Sequence, residues 1–431
     1  MDRRVVGFVL VSALCPVASS AQDASAPAFK EGDVIGYDKV EQLQRYVPKE
    51  FWDNRDFFFY EGMKLEIGSS QSDYSPSTPY VEATKRNVGK ASVGAESSLS
   101  GYVTGQPFPL DKIDCKGDPN AGAKIAWNYD HRWDGEGGAT KFIYSYWDRG
   151  ERLPLYYEGK SRRVWVSGRV EPEYQATNGD VFRGEQRKRV NGIEVEAPFD
   201  SRGLTLLTYR YKGSENPQAQ THNDDTWVYS PALRRVRRIS SAQRADAVAG
   251  TDFTLDDLNS FDGVVPQYNW KCLGEQQLLA PMNSRMKGYP LSKDQNFGPF
   301  GLSFADDVWS LRDAIVVQFE PRNSDHPYSK KVIYLDKQAM EPLYSFAYDR
   351  KGELWKLIWH NHRWSGDKGF VYPAWPGVDE PRDIVTVSDI IVNVQTGTGN
   401  RIEAWDRHGT PFDSKGALRR YIDQNRLTKG R

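Results

Sequence analysis

From Ser161 onward the chain repeats one pattern. Short runs of alternating side chains, rich in β-branched and aromatic residues, are closed by turn-forming residues. "SRRVWVSGRV" (161–170), "LTLLTYRY" (204–211) and "DTWVYS" (225–230) come first. "DAIVVQFE", "KKVIYLD", "PLYSFAYD", "ELWKLIWHNHRW", "DIVTVSDIIVNVQ" and "NRIEAWD" follow between residues 313 and 406. A period of two sends successive side chains to opposite faces of a strand. The joints suit hairpins, because Gly352 in "DRKG" and Gly397 in "TGTG" stand where a positive φ is required. The expected fold class is therefore mainly β with a few helices, built on a large antiparallel curved sheet.

Helical signals flank this region. From Gly36 to Phe58, Val40, Leu43, Tyr46 and Val47 recur at helical spacing, and Pro48 breaks the run. Residues 69–105 are rich in Ser, Gly and Thr and receive no assignment. Near the end, Ser414 is placed to cap a helix carrying Leu418, Tyr421 and Ile422 on one face.

The N-terminus specifies the compartment. Arg3 and Arg4 precede an apolar run from Val5 to Val17, and Ser19-Ser20-Ala21 supplies a small-x-small cleavage site. The run is shorter than the about 20 residues a membrane helix needs. Leu14 before Cys15 argues against lipidation of that cysteine. Residues 1–21 thus read as a cleavable signal peptide and the mature chain as a soluble periplasmic protein. Residues 22–110 read as a helical and irregular segment. Residues 111–431 read as an antiparallel β half-barrel with a C-terminal helix, continuous with 22–110 in one domain. Cys115 and Cys272 remain after cleavage, as a disulfide in this oxidising compartment or as two buried thiols.

With 57 basic and 58 acidic residues, nothing global draws the chain to polyanions, and nucleic acid is excluded as a partner. One basic knot stands out: Arg234, Arg235, Arg237 and Arg238 surround a single Val, and Asp252, Asp256 and Asp257 follow. "TLDD" (254–257) has capping-box spacing. Two readings stay open. The arginines fork onto this acidic turn, or they sit at a cavity mouth and meet a lipid headgroup.

Aromatic residues make up 13% of the chain. Trp227 and Tyr229 share one strand face, Tyr344 and Phe346 another, and Trp355 and Trp359 a third. Rings so arranged need an apolar partner, and candidate occupants are a second layer of core or a hydrophobic ligand in a cavity. The HNH triplet puts His360 and His362 on one face, but no third ligand follows at a zinc-like spacing. Neither a nucleophile elbow nor a P-loop is present. The expectation is a non-enzyme with no catalytic residue, no metal and no cofactor.

"DTWVYSPALRRVRRISSAQRADAVAGTDFTLDDLNSFDG" (225–263) resembles a motif of outer-membrane lipoprotein-sorting-like proteins. Together with "YVEATKRNVGK", "SGYVTGQPFP", "AGAKIAWN" and "HPYSKKVIYLDKQAMEPLYSFAYDRKGELWK", it resembles the domain of unknown function 1329 family, related to the LolA and LolB lipoprotein carriers. The resemblance implies an unclosed barrel whose mouth is covered by helices and which holds a lipid-like ligand. It also implies envelope transport beside an RND-type exporter or an outer-membrane protein, with peripheral membrane contact. The alternative is a periplasmic interaction subunit of a transport complex that binds no ligand. Intact-mass measurement of the exported protein should give a chain starting at Gln22; retention of Val5–Val17, or acylation at Cys15, would contradict the soluble periplasmic assignment.

Overall fold

The structure, a computed structural model, describes residues 29–212, 223–239, 244–286, 295–366, 382–408, 412 and 414–427. The signal-peptide reading at residues 1–21 lies outside the described residues. Four short strands come first: β1 (Val34–Ile35), β2 (Leu65–Ile67), β3 (Ser92–Val93) and β4 (Leu99–Ser100). Then come β5 (Asp134–Asp148), β6 (Glu151–Trp165), β7 (Arg187–Ala197), β8 (Thr205–Tyr211), β9 (Asp225–Ser230) and β10 (Arg235–Ile239). The last group is β11 (Tyr268–Pro281), β12 (Val308–Pro321), β13 (Lys330–Asp336), β14 (Pro342–Tyr348), β15 (Leu354–Trp364), β16 (Ile384–Asn393) and β17 (Thr398–His408).

β5 to β10 form one antiparallel meander and β11 to β17 another. They join where β17 pairs with β5, which makes one sheet of the two meanders. β2 adds the parallel contact, to the start of β12. The sheet does not close into a barrel: among the described residues β10 pairs only with β9 and β11 only with β12.

Both faces are covered. One face is clothed by the terminal segments. Residues 37–46 form a 3₁₀ helix whose buried Val40, Leu43 and Tyr46 recur every three residues, the 3₁₀ period. After Pro48 the chain turns into α1 (Lys49–Asp53) and a 3₁₀ turn at 55–57. Phe51 and Phe58 drive into a cluster with Phe304, Trp309, Tyr344 and Trp359. Farther along this face lies α4 (Lys415–Tyr421), where the Ala417 N–H donates to the Ser414 hydroxyl at 3.1 Å, as its capping role requires. Leu418 and Ile422 from this end of the chain pack with Val164, Val190, Leu207 and Tyr209.

The opposite face receives α3 (Ala121–Asp130), nearly every residue of which is buried. Ile125 and Trp127 of α3 pack with Ile315, Val317 and Ile333. α2 (Thr78–Asn87) begins with Pro79 in its first turn, a position that needs no N–H donor.

Cys115 and Cys272 are joined in a disulfide, with 5.2 Å between their Cα atoms. It ties the stretch before α3 to the free edge strand β11. Closing a loop with a sequence separation of 157 removes about 5 kcal/mol of unfolded-state entropy on the chain-entropy account. Paired replacement C115S/C272S is expected to lower the urea midpoint clearly without changing the far-ultraviolet circular dichroism. An unchanged midpoint would show that the bridge does not constrain this unfolded chain.

Candidate functional site

A ladder of opposed residues runs across the face that bears α3. Asp389 pairs with Ile402, Ile402 with Tyr144, and Tyr144 with Tyr157. Ser161 pairs with Ile193, Ile193 with Leu206, and Leu206 with Val228. Over this ladder passes the segment Val248–Ser260, which presents Val248, Phe253, Leu255 and Leu258. Sheet and segment enclose a cavity of about 450 Å³. Aliphatic side chains dominate its wall, with Phe142, Tyr144 and Tyr157 as the rings of the sheet floor. Its polar groups include two ion pairs, Arg132–Glu341 at 2.7 Å and Arg163–Asp134 at 3.2 Å. Pockets of about 300–1,000 Å³ with mostly apolar walls and few polar anchors are the usual form of small-molecule sites.

The covering segment is held by buried charge. Asp257 is fully buried, and its carboxylate meets Lys331 Nζ at 2.8 Å, Lys356 Nζ at 3.2 Å and the Tyr328 hydroxyl at 2.8 Å. Burial pushes the Asp257 carboxyl up, but the two ammonium groups override it and hold it well below the usual carboxylate range. Burial in turn lowers Lys331, against the pull of Asp257. Asp257 also accepts from the Thr254 N–H at 3.3 Å and hydroxyl at 3.0 Å, so the expected capping box forms. Arg244 donates to Asp256, Asp224 and Asp262, each at 2.9 Å. Arg210 grips Asp224 and donates to the carbonyls of Asp262 (2.7 Å) and Gly263 (2.9 Å), while Arg189 pairs with Asp262. Asp252 accepts from Asn393 and Thr398, each at 2.7 Å.

Arg234, Arg235, Arg237 and Arg238 therefore do not make the forks onto the acidic turn that the sequence suggests. β10 is an edge strand, these four side chains are exposed, and only Arg238 makes an ion pair among the described residues, with Asp225. On that turn Asp256 is met by Arg244 and Asp257 by Lys331 and Lys356, while Arg189 and Arg210 hold the flanking Asp262 and Asp224. Arg189 and Arg210 alternate inward on their strands in "KRV" and "TYRY", the one signal the sequence offers for them.

The ring-bearing faces also differ from expectation. Trp227 pairs with Leu207 and, with Tyr229, packs beside Tyr209 on the α4 side. Its neighbour Val228 is the residue that faces the cavity. Tyr344, Phe346 and Trp359 are 0% exposed and sit in solid core beneath the N-terminal segment. Trp355 lies in a β-bulge, where Ala347 opposes Lys356 and Tyr348 opposes Leu354. It rests instead against Tyr328 and Lys356, so it does not share a site with Trp359. All six candidate lining residues lie outside the cavity wall, and of their strand neighbours only Val228 belongs to it.

His360 and His362 stack at 5.9 Å. Burial pushes His362 down to about 3, and its neutral ring donates from Nε2 to the Pro342 carbonyl at 2.7 Å. His360 lies 2.6 Å from Asp389 through Nδ1 and 2.6 Å from the Ser260 hydroxyl through Nε2. This has the shape of a nucleophile–base–carboxylate relay. However, Ser260 is fully buried, donates to Ser345 at 2.9 Å, and belongs to the covering segment itself. Lifting that segment would carry the hydroxyl away from its base. The trio is a clasp between segment and sheet. Among the described residues no group of three or more His, Cys, Asp or Glu is placed to hold a metal ion.

The family model described as "Protein of unknown function (DUF1329)" matches residues 56–424. The uncharacterized protein PA3922 of Pseudomonas aeruginosa is 23% identical over 289 residues, which is 64% of this chain and 57% of that protein. The chain thus spans less than two thirds of that relative. A DUF1329 family protein from Desulfovibrio piger has 18% identity over 72% of this chain and 99% of its own, with a TM-score of 0.46. A domain named for outer membrane lipoprotein sorting, from Vibrio parahaemolyticus, has 20% identity over 72% of this chain and 100% of its own, with a TM-score of 0.47.

Replacing Arg244 with Ala leaves buried Asp256 without its guanidinium, while Arg210 and Arg189 still hold Asp224 and Asp262, and is expected to cost about 3 kcal/mol in urea unfolding. Arg235→Ala and Arg237→Ala, both exposed, should each cost under about 1 kcal/mol. Because Asp257 and Asp262 are held low in the folded state, their contribution is complete above about pH 4 and is lost as pH falls below it. Equal losses at all three arginines would refute this division of roles.

Proposed function

The chain belongs to the DUF1329 family, and from that membership together with its cavity we propose that it is a periplasmic binding protein that carries a lipid or another hydrophobic molecule between envelope components. The observation that carries this reading is the apolar cavity between the sheet and the Val248–Ser260 segment. A packed core would have filled that space, since interiors normally leave few voids larger than a water molecule. Here Ile193, Leu206 and Val228 line it and remain only half-buried. An acyl chain or ring system would gain roughly 25 cal/mol for each Å² of apolar surface removed from water. The Arg132–Glu341 and Arg163–Asp134 pairs would give a polar end of the ligand hydrogen-bonding partners without demanding a net charge. The signal-peptide pattern at residues 1–21 and the lipoprotein-sorting-like motif at 225–263 support a periplasmic setting, and an RND-type exporter or an outer-membrane protein is the partner that this setting offers.

A fluorescent fatty-acid probe should bind the mature protein saturably. Leu206→Trp and Val228→Trp fill the cavity from its floor and should raise the probe's Kd at least about tenfold, a difference of about 1.4 kcal/mol. Arg237→Ala, outside the cavity, should leave the Kd unchanged. If the wild-type protein takes up no probe, the cavity is not a ligand site, and the protein is better described as an interaction subunit.

A further inference from the structure

Two large apolar side chains stand in water at the same end of the sheet. Phe199 is 85% exposed in the turn from β7 to β8, and Leu233 is 52% exposed in the turn from β9 to β10. β8 and β9 are neighbours, with Thr205 opposite Tyr229, so the two turns project from the same end. At about 4.8 Å per strand the tips lie roughly 10 Å apart. Beside Leu233 stand the exposed Arg234, Arg235 and Arg237, and beside Phe199 stands exposed Arg202. Asp200 and Glu194 are exposed on the same hairpin, while Glu196 is taken by Lys160. The balance at the tips is positive.

This end also bounds the cavity. Val195 and Leu204 line it, and they close the turn that carries Phe199: the Val195 N–H donates to the Leu204 carbonyl at 2.9 Å. Val228 lines it three residues before the turn that carries Leu233.

An edge strand of arginines alone has an ordinary explanation, since charge prevents edge-to-edge pairing between molecules. That explanation does not extend to Phe199 and Leu233, which would promote the association the arginines prevent. Exposed rings and aliphatic tips flanked by guanidinium groups fit a different surface, where apolar groups enter the acyl boundary and cations meet phosphates. We propose that this end of the sheet docks on an anionic phospholipid bilayer, with Phe199 and Leu233 inserted and Arg234, Arg235 and Arg237 on the headgroup phosphates. Docking of this kind sets the Val195–Leu204 end of the cavity against the membrane. It requires nothing of the cavity's contents, so it stands or falls separately from the carrier reading.

Flotation of the mature protein with vesicles tests it. The wild-type protein should float with phosphatidylethanolamine–phosphatidylglycerol vesicles and far less with phosphatidylcholine vesicles. Binding should fall as salt is raised to about 0.5 M, where exposed charges are screened. F199S/L233S and R234S/R235S/R237S should each weaken binding at least about tenfold, with urea midpoints close to wild type. Three results would overturn the proposal: no flotation of the wild-type protein, variants that float as well as it does, or arginine variants that aggregate while vesicle binding is unchanged. The last would leave the arginines as edge protection only.

Discussion

A carboxylate with no water around it must be answered by charge, and Asp257 is answered twice, by Lys331 and Lys356. Those lysines stand on β13 and β15, in the middle of the sheet, while Asp257 stands on the segment that crosses it. One buried ion cluster thereby fixes where the covering segment can lie. Arg244, Arg210 and Arg189 repeat the device toward β7 and β8. Removing a single partner would leave a charge stranded in low dielectric, which costs more than the pair contributes. The segment is therefore a fixed wall.

The two faces of the sheet divide the work. The face under the N- and C-terminal segments carries the large rings and is packed solid around Trp309 and Trp359. The other face carries Ile193, Leu206 and Val228 beside Phe142, Tyr144 and Tyr157 under the crossing segment and keeps an open volume. Behind the cavity strands β6 to β9 the backing is the cluster of Val164, Val190, Leu207 and Tyr209 with Leu418 and Ile422.

Local signals were readable in the chain. "DTWVYS" and "KKVIYLD" coincide with β9 and β13, the Ser414 cap forms, and the Thr254–Asp257 box forms. What alternation could not supply was the identity of each face. A half-solvated sheet marks its outside with polar residues, but this sheet is covered on both sides, so ring-rich and aliphatic faces look equally internal. The bulge at Trp355 adds a change of parity that no run of letters announces. α3 escaped notice because a helix buried on nearly all sides shows no amphipathic stripe. The partners of Asp257 lie 74 and 99 residues away, whereas the clustered Arg234, Arg235, Arg237 and Arg238 ended on the exposed edge.

The central claim is that the space above Ile193, Leu206 and Val228 is built to hold an apolar molecule. Native mass spectrometry of the exported protein, purified without detergent, addresses it most directly. The account predicts a population heavier than the mature chain by one discrete hydrophobic molecule, released on denaturation and absent from the Leu206→Trp variant. A bare chain mass, or an adduct retained equally by Leu206→Trp, would contradict it.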